Sequence, residues 1–255
     1  MSALALPRHS LVLAKRNLIG VTRNPEALLD VTFQPVIFLA LFTYIFGGAL
    51  AGGSQQDYLQ FLLPGVLAQM VAFASVSIGV NLNTDIEKGV FDRFRSLPIS
   101  RAAPLVGAVF ADIVRYVLMC AVTIGFGYAI GFRAETSPLE VLAAAGIVIA
   151  FALCLSWASV FIGTIARTPG AVQGIVLLTM FPLTFGTSTF VPTSTMPDWL
   201  QTFTDVNPLT HLIGVLRALM LGDPMGNHLL WTLVSMAVLL VVFVPLALRS
   251  YGRRA

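Results

Sequence analysis

Asp85-Ile-Glu-Lys-Gly-Val-Phe-Asp-Arg-Phe-Arg-Ser-Leu-Pro-Ile-Ser-Arg101 is the densest block of charge in the chain, and it stands between two long apolar segments. Glu87, Lys88, Asp92, Arg93 and Arg95 alternate with Val90, Phe91, Phe94 and Leu97. The spacing predicts a short amphipathic helix ended by Ser96-Leu97-Pro98, because proline cannot extend a helix and disfavours helix at the residue before it. A solvated loop with ordinary flanking charges fits the same spacing.

Outward from this block the chain is apolar. Hydrophobic residues make up 57% and charged residues 11% of its 255 positions, with mean hydropathy +0.87, where a soluble domain carries about 25% charge. Apolar runs of about 20 residues fit transmembrane helices, and their continuity argues against the alternation of a barrel. The expected fold is an all-α integral membrane protein with six spans. Residues 1–29 hold Arg8, Lys15, Arg16 and Arg23 on one sector and predict an interfacial helix ending near Asn24-Pro25. Spans are expected over 31–50 and 58–82, the second kinked at Pro64. After 85–101 comes an interfacial approach (102–112), then spans over 113–132, 140–165 and 171–191. Within 192–228 the stretches 198–206 and 209–221, divided by Asn207-Pro208, are too short to cross a core of ~30 Å and predict a re-entrant hairpin. A last span, 229–248, leaves the tail 249–255.

Six spans put both termini on one side. Thirteen of the fifteen Lys and Arg then lie on that side, leaving only Arg133 and Arg217 opposite. The positive-inside rule makes the termini and the 85–101 block cytoplasmic. The basic residues follow topology, so the net charge of +3 does not point to nucleic acid. No cleavable signal peptide is apparent, since Pro7, Arg8 and His9 interrupt a short apolar core. Cys120 and Cys154 fall inside apolar segments and are expected as packed free thiols.

A phosphate-cradling loop needs Gly-Lys-Ser/Thr, yet the only lysines, Lys15 and Lys88, precede Arg16 and Gly89. No ATPase site of that type is present, and any nucleotide motor is another polypeptide. No pair among His9, His211 and His228 has metal-ligand spacing on a span. Asp112 and Arg115, three apart, are expected to pair on one helix face, lowering the cost of charge near hydrocarbon. Arg217 calls for a carboxylate, with Asp198, Asp205 and Asp223 in reach along the sequence. Gly48/Gly52, Gly127/Gly131 and Gly170/Gly174 match the spacing of close helix packing. Gln69, Asn81, Thr184 and Ser188 either hydrogen-bond between helices or, with Phe38 and Phe42, line a path for an amphipathic substrate.

Several stretches are similar to one known family. Glu87 to Arg101 resembles the corresponding loop of ABC-2 type transporter permeases, especially the daunorubicin-resistance group. Arg23-Asn-Pro25, Gln34-Pro-Val-Ile-Phe38 and Leu41-Phe-Thr-Tyr-Ile-Phe-Gly-Gly48 resemble that group's first span, and Asn207-Pro-Leu-Thr-His211 with Arg217 its membrane signature. The resemblance implies a permease half of a bacterial cytoplasmic-membrane exporter. It would pair with a second copy or a sister permease, with membrane lipids around it, and with two ATP-binding subunits that hold ATP and Mg. This chain itself would hold no cofactor or metal. The resemblance further implies a coupling helix with Glu87, Val90, Phe91, Arg93, Phe94 and Arg95 against the ATPase, a connecting helix carrying Arg8, Lys15, Arg16 and Arg23, and an external gate with Trp199, His211 and Arg217. Two other classes remain open from the residues: an intramembrane lipid- or glycan-modifying enzyme, and a membrane assembly factor.

Overall fold

The computed structural model describes the backbone of residues 25–50, 54–89 and 103–254. The connecting-helix residues Arg8, Lys15, Arg16 and Arg23, and Val90, Phe91, Arg93, Phe94 and Arg95 of the charged block, lie outside the described residues. Within them the fold is helical, with no strand. The order is α1 (Pro25–Leu50), α2 (Gln55–Ala74), α3 (Val76–Glu87), α4 (Ala103–Ala129), α5 (Pro138–Ile165), α6 (Pro169–Phe185), a 3-10 turn (Thr193–Thr195), α7 (Asp198–Val206), α8 (Pro208–Leu221) and α9 (His228–Arg254).

Local chemistry sets the helix starts. Ser54 Oγ accepts from the Asp57 N–H at 3.2 Å. Ser137 and Glu140 form a reciprocal capping box ahead of α5, and Thr168 accepts from Ala171 N–H ahead of α6. Pro138, Pro169 and Pro208 occupy first-turn positions where no N–H is needed.

Gln55–Glu87, Pro104–Ala129, Pro138–Ile165 and His228–Gly252 are each long and apolar enough to cross a membrane. Thr32–Gly48, Pro169–Phe185 and Pro208–Leu221 are apolar and shorter. The α2–α3 span is central: 83% of its most apolar window is buried, against 6% for His228–Gly252, which presents Leu230, Val234, Val238 and Val241 outward. One core gathers Leu59, Leu62, Leu63, Leu67 and Met70 of α2 with Phe151 of α5 and Leu212 and Leu216 of α8. A second gathers Ile78 and Leu82 of α3, Leu105 and Val109 of α4, Trp157 and Val160 of α5, and Ala247 and Tyr251 of α9.

Several expectations change. The central span continues as helix through Pro64 and is interrupted at Ser75, where the Ser75 and Ser77 hydroxyls donate back to the carbonyls of Ala72 (2.7 Å) and Ala74 (2.9 Å). Residues 103–112, expected as an interfacial approach, are continuous with the third span in one helix of 27 residues, Ala103–Ala129. The fifth segment leaves the helix at Phe185, and the carbonyls of Leu183 and Gly186 pass to the Asn207 amide at 2.8 and 2.7 Å. The hairpin halves form as α7 and α8, and α8 is buried against α2, α5 and α9. Cys120 and Cys154 are buried free thiols.

Of the glycines singled out by spacing, Gly127 alone is tightly packed among the described residues, and Gly52 lies outside them. Gly48, Gly131, Gly170 and Gly174 face open space, and Gly127 meets the Leu63 side chain. The tight crossing is α3 on α5: a Cβ at Gly163 would lie 2.5 Å from Gly79 O and 3.1 Å from Gly79 Cα. Without a hydrophobic drive between helices in lipid, such backbone approach is what holds two helices together. Gly163→Leu should therefore destabilise the protein by about 1–3 kcal/mol in reversible detergent unfolding. Gly174→Ala should instead be neutral or stabilising by at most about 1 kcal/mol.

Candidate functional site

The helix entering the charged block is anchored at its last turns. α3 ends at Glu87, with the Lys88 N–H returning to Thr84 O at 3.0 Å. Glu87 thus belongs to the end of the central span, and the described part of the block ends two residues later at Gly89. Upstream on α3, the Asn83 amide donates to the carbonyls of Gly163 (2.8 Å) and Ala166 (2.9 Å), closing the C-terminal end of α5. Asp112 and Arg115 of α4 are both buried and act on each other electrostatically, as their spacing suggested. Arg115 also donates to Ser77 Oγ of α3, and Tyr116 OH meets Ser156 Oγ of α5 at 2.7 Å. A polar belt thereby joins α3, α4 and α5 where the chain approaches the charged block at 85–101, the handle of the fold.

The opposite end is organised by Arg217. Its Nη2 donates to the carbonyls of Ser188 (2.6 Å) and Phe61 (3.2 Å), its Nη1 to Ser188 Oγ (3.1 Å), and its guanidinium carbon lies 3.8 Å from the centre of the Phe61 ring. The expected carboxylate partner is corrected: the cation sits in a cradle of carbonyls and an aromatic face, and Asp223 acts on it only at longer range. Carbonyls left over where the 186–190 segment leaves α6 supply what a carboxylate would. The loop before α5 closes the other side, with Thr136 Oγ donating to Leu219 O (2.6 Å) and Glu135 N–H to Met220 O (3.0 Å).

His211 and His228, seventeen residues apart, meet with their Nδ1 atoms 3.1 Å apart, and the His211 ring stacks on Trp231. Trp199 stands 72% exposed on α7, so the three expected gate residues do not share one contact.

The expected path residues also divide. Phe38 and Phe42 belong to a row of near-parallel rings: Phe42 stacks on Phe38 (5.7 Å), Phe46 (5.3 Å) and Phe190 (4.3 Å), Phe190 on Phe185 (5.6 Å), and Phe185 on Phe181 (5.1 Å). Gln69 is buried on α2, and neither of its amide atoms meets a hydrogen-bond partner among the described residues. Thr184 returns its hydroxyl to Met180 O (2.8 Å), Ser188 serves Arg217, and Asn81 is exposed on α3. Sequence reasoning missed Phe61, Phe190, His228 and Trp231; ring spacing along α1 signalled only its own part of the row.

Residues 8–221 match the model of the ABC-2 type transporter family. The chain belongs to that family. It is 41% identical over 239 residues to the daunorubicin resistance ABC transporter permease protein DrrB1 of Streptomyces coeruleorubidus, covering 94% of this chain and 84% of the relative. It is 30% identical over 224 residues to the doxorubicin resistance ABC transporter permease protein DrrB of Mycobacterium tuberculosis, covering 85% and 77%. It is 27% identical over 217 residues to the putative transport permease ycf38 of Cyanophora paradoxa, covering 82% and 72%.

The family match spans both the polar belt and the Arg217 cradle. Arg217→Ala should cost about 2–3 kcal/mol of stability, since it removes a charged donor from the carbonyls of Ser188 and Phe61. Asp198→Asn, Asp205→Asn and Asp223→Asn should each change it by no more than about 0.5 kcal/mol. A large loss on neutralising one of these aspartates in thermal or denaturant unfolding would restore the ion pair.

Proposed function

We propose that this chain is the permease subunit of an ATP-binding cassette exporter that moves an amphipathic or hydrophobic drug-like cargo out of the cell. The observation that carries the reading is the family match over residues 8–221, joined to a chain whose only two lysines sit outside any phosphate-binding motif. The relatives named for daunorubicin and doxorubicin resistance support a drug as cargo. ATP and Mg would be held by a separate ATP-binding subunit, two copies per complex, with a second permease copy or a sister permease completing the path. In this reading α1 and α6 complete six spans in a bacterial cytoplasmic membrane, with both termini and the 85–101 block on the cytoplasmic side.

The mechanism follows from the connection of handle to core. Glu87, Val90, Phe91, Arg93, Phe94 and Arg95 engage the ATP-binding subunit, and Arg8, Lys15, Arg16 and Arg23 lie along the inner membrane surface beside it. Motion of the handle displaces α3. The Gly79–Gly163 crossing and the Asn83 clamp pass that displacement to α5, and α2 carries it toward Arg217. The α7–α8 hairpin with Trp199, His211 and Arg217 closes the outer exit. The ring row with Phe38 and Phe42 supplies an aromatic face for cargo, favouring ligands that can stack. Gln69 offers a buried amide to a polar group of the cargo, while Thr184, Ser188 and Asn81 shape the path through the backbone they hold.

Co-expression with the ATP-binding subunit should yield a complex that survives detergent pull-down and drives ATP-dependent drug uptake into inside-out vesicles. A complex with no ATP-dependent transport would favour an assembly factor. Phe91→Ala with Phe94→Ala should leave the permease folded and lower transport at least about tenfold, the loss of about 1.4 kcal/mol of coupling, with ATP hydrolysis retained. Normal export by that double variant would remove the coupling role. Phe42→Ala with Phe190→Ala should raise the KM for an aromatic cargo more than it lowers the maximal ATPase rate.

A further inference from the structure

The hairpin and the last span meet at a pair of imidazoles, of which the transport reading uses only His211, as part of the outer gate, and gives the pairing itself no role. His211 lies in the first turns of α8 and His228 opens α9, with the left-handed Gly222 and the exposed turn at 223–227 between them. Their Nδ1 atoms face each other at 3.1 Å. On its far side His211 Nε2 lies 2.9 Å from Asp205 O. A carbonyl only accepts, so His211 Nε2 carries the proton and its Nδ1 presents a lone pair. In the neutral pair His228 Nδ1–H donates to that lone pair. The two Nδ1 atoms therefore converge on one point, occupied by a single proton.

We propose that His211 and His228 bind a borderline divalent metal ion, with Zn2+ as the reference ion, and that the bound ion pins the α7–α8 hairpin to α9. The ion accepts both Nδ1 lone pairs. His228 exchanges its Nδ1 proton for one at Nε2 through water, so both rings stay neutral and no proton is lost overall. Two nitrogens at 2.0–2.1 Å from tetrahedral zinc stand about 3.3–3.4 Å apart, a few tenths of an ångström wider than the pair. The His211 Nε2–H bond to a backbone carbonyl is the outer contact that orients a metal-binding histidine.

The rings are held in place by their surroundings. His211 stacks on Trp231 with centroids 5.9 Å apart and planes 17° apart. His228 lies over Gly214, where a Cβ would come 2.6 Å from the ring's Cγ, so only glycine leaves the ring its seat. Both histidines are half-buried beside an exposed turn, which gives an ion access. Among the described residues no cluster of three or more His, Cys, Asp and Glu could hold a metal, so water would complete the coordination and the ion would exchange. Of the charges nearby, Arg217 acts on His228 and opposes a cation. Its guanidinium is engaged by Phe61 and Ser188, and the Asp223 charge acts against it.

The test uses the full-length permease, purified through a histidine-free tag, with zinc chloride as probe, and its readout is metal binding, separate from the transport assignment. Zinc at about 100 times its dissociation constant should raise the melting temperature saturably, reversibly by EDTA, with no such effect from Mg2+. His211→Gln and His228→Gln should each abolish the rise. Without any substitution, zinc should slow diethylpyrocarbonate modification of His211 and His228 at least about tenfold, mapped by mass spectrometry, and leave His9 unprotected. No thermal shift, an equal shift in the glutamine variants, or modification at unchanged rates would each leave the pair a hydrogen bond only and overturn the proposal.

Discussion

Two asparagine amides close the ends of two helices that belong to other parts of the chain. Asn83 takes the last carbonyls of α5, and Asn207 takes those of α6. A helix terminus leaves carbonyls without intrahelical partners, and in a low-dielectric surround such groups must find donors inside the protein. Lipid gives packed apolar faces little reason to prefer each other over acyl chains, so the backbone approach at Gly79–Gly163 and these amide clamps decide which helices stay together. The clamps sit at opposite ends of the fold, and the central α2–α3 span runs between them.

The two ends differ in kind. Near the handle, α3 is fixed to α4 through Ser77 and Arg115 and to α5 through Asn83. At the far end, α8 is fixed by what others bring to it: carbonyls at Ser188 and Phe61 for Arg217, and donors from Thr136 and Glu135 for the carbonyls of Leu219 and Met220. The hairpin is thus tied to the turns around it, while the handle is tied to the spans.

Hydropathy made the helical class and most segments legible, and Asn207-Pro208 marked the division of the hairpin, while the caps at Ser137-Pro-Leu-Glu140 and Thr168-Pro169 are local signals that hydropathy does not read. The Asp112–Arg115 relation was legible because helix geometry places residues three apart on one face. What escaped lies across elements. Carbonyls released where α6 stops at Phe185 have no side-chain signature, so a carboxylate looked necessary for Arg217. Gly79 and Gly163 oppose each other from separate helices, and no spacing rule within one helix finds them. His211 and His228 are distant in sequence and meet only because Gly222 turns α8 back to α9. The fifth span was expected over 171–191, yet α6 has 17 residues and stops at Phe185, where Gly186 and the Asn207 clamp end it.

The break at Ser75 gives the central span two halves with different allegiances. α2 carries Leu59, Leu62, Leu63 and Met70 into the core shared with α8, whereas α3 carries Ile78 and Leu82 into the core shared with α4, α5 and α9. A serine hydroxyl that donates back to its own helix weakens the ladder there and lets it bend. Ser75 and Ser77 both do so within one turn, and Ser77 is also the residue that Arg115 holds. A bend at this level changes the angle between the halves without parting either from its core. The division at Ser75 therefore coincides with the place where the two cores divide the span, whereas Pro64 is buried well inside α2.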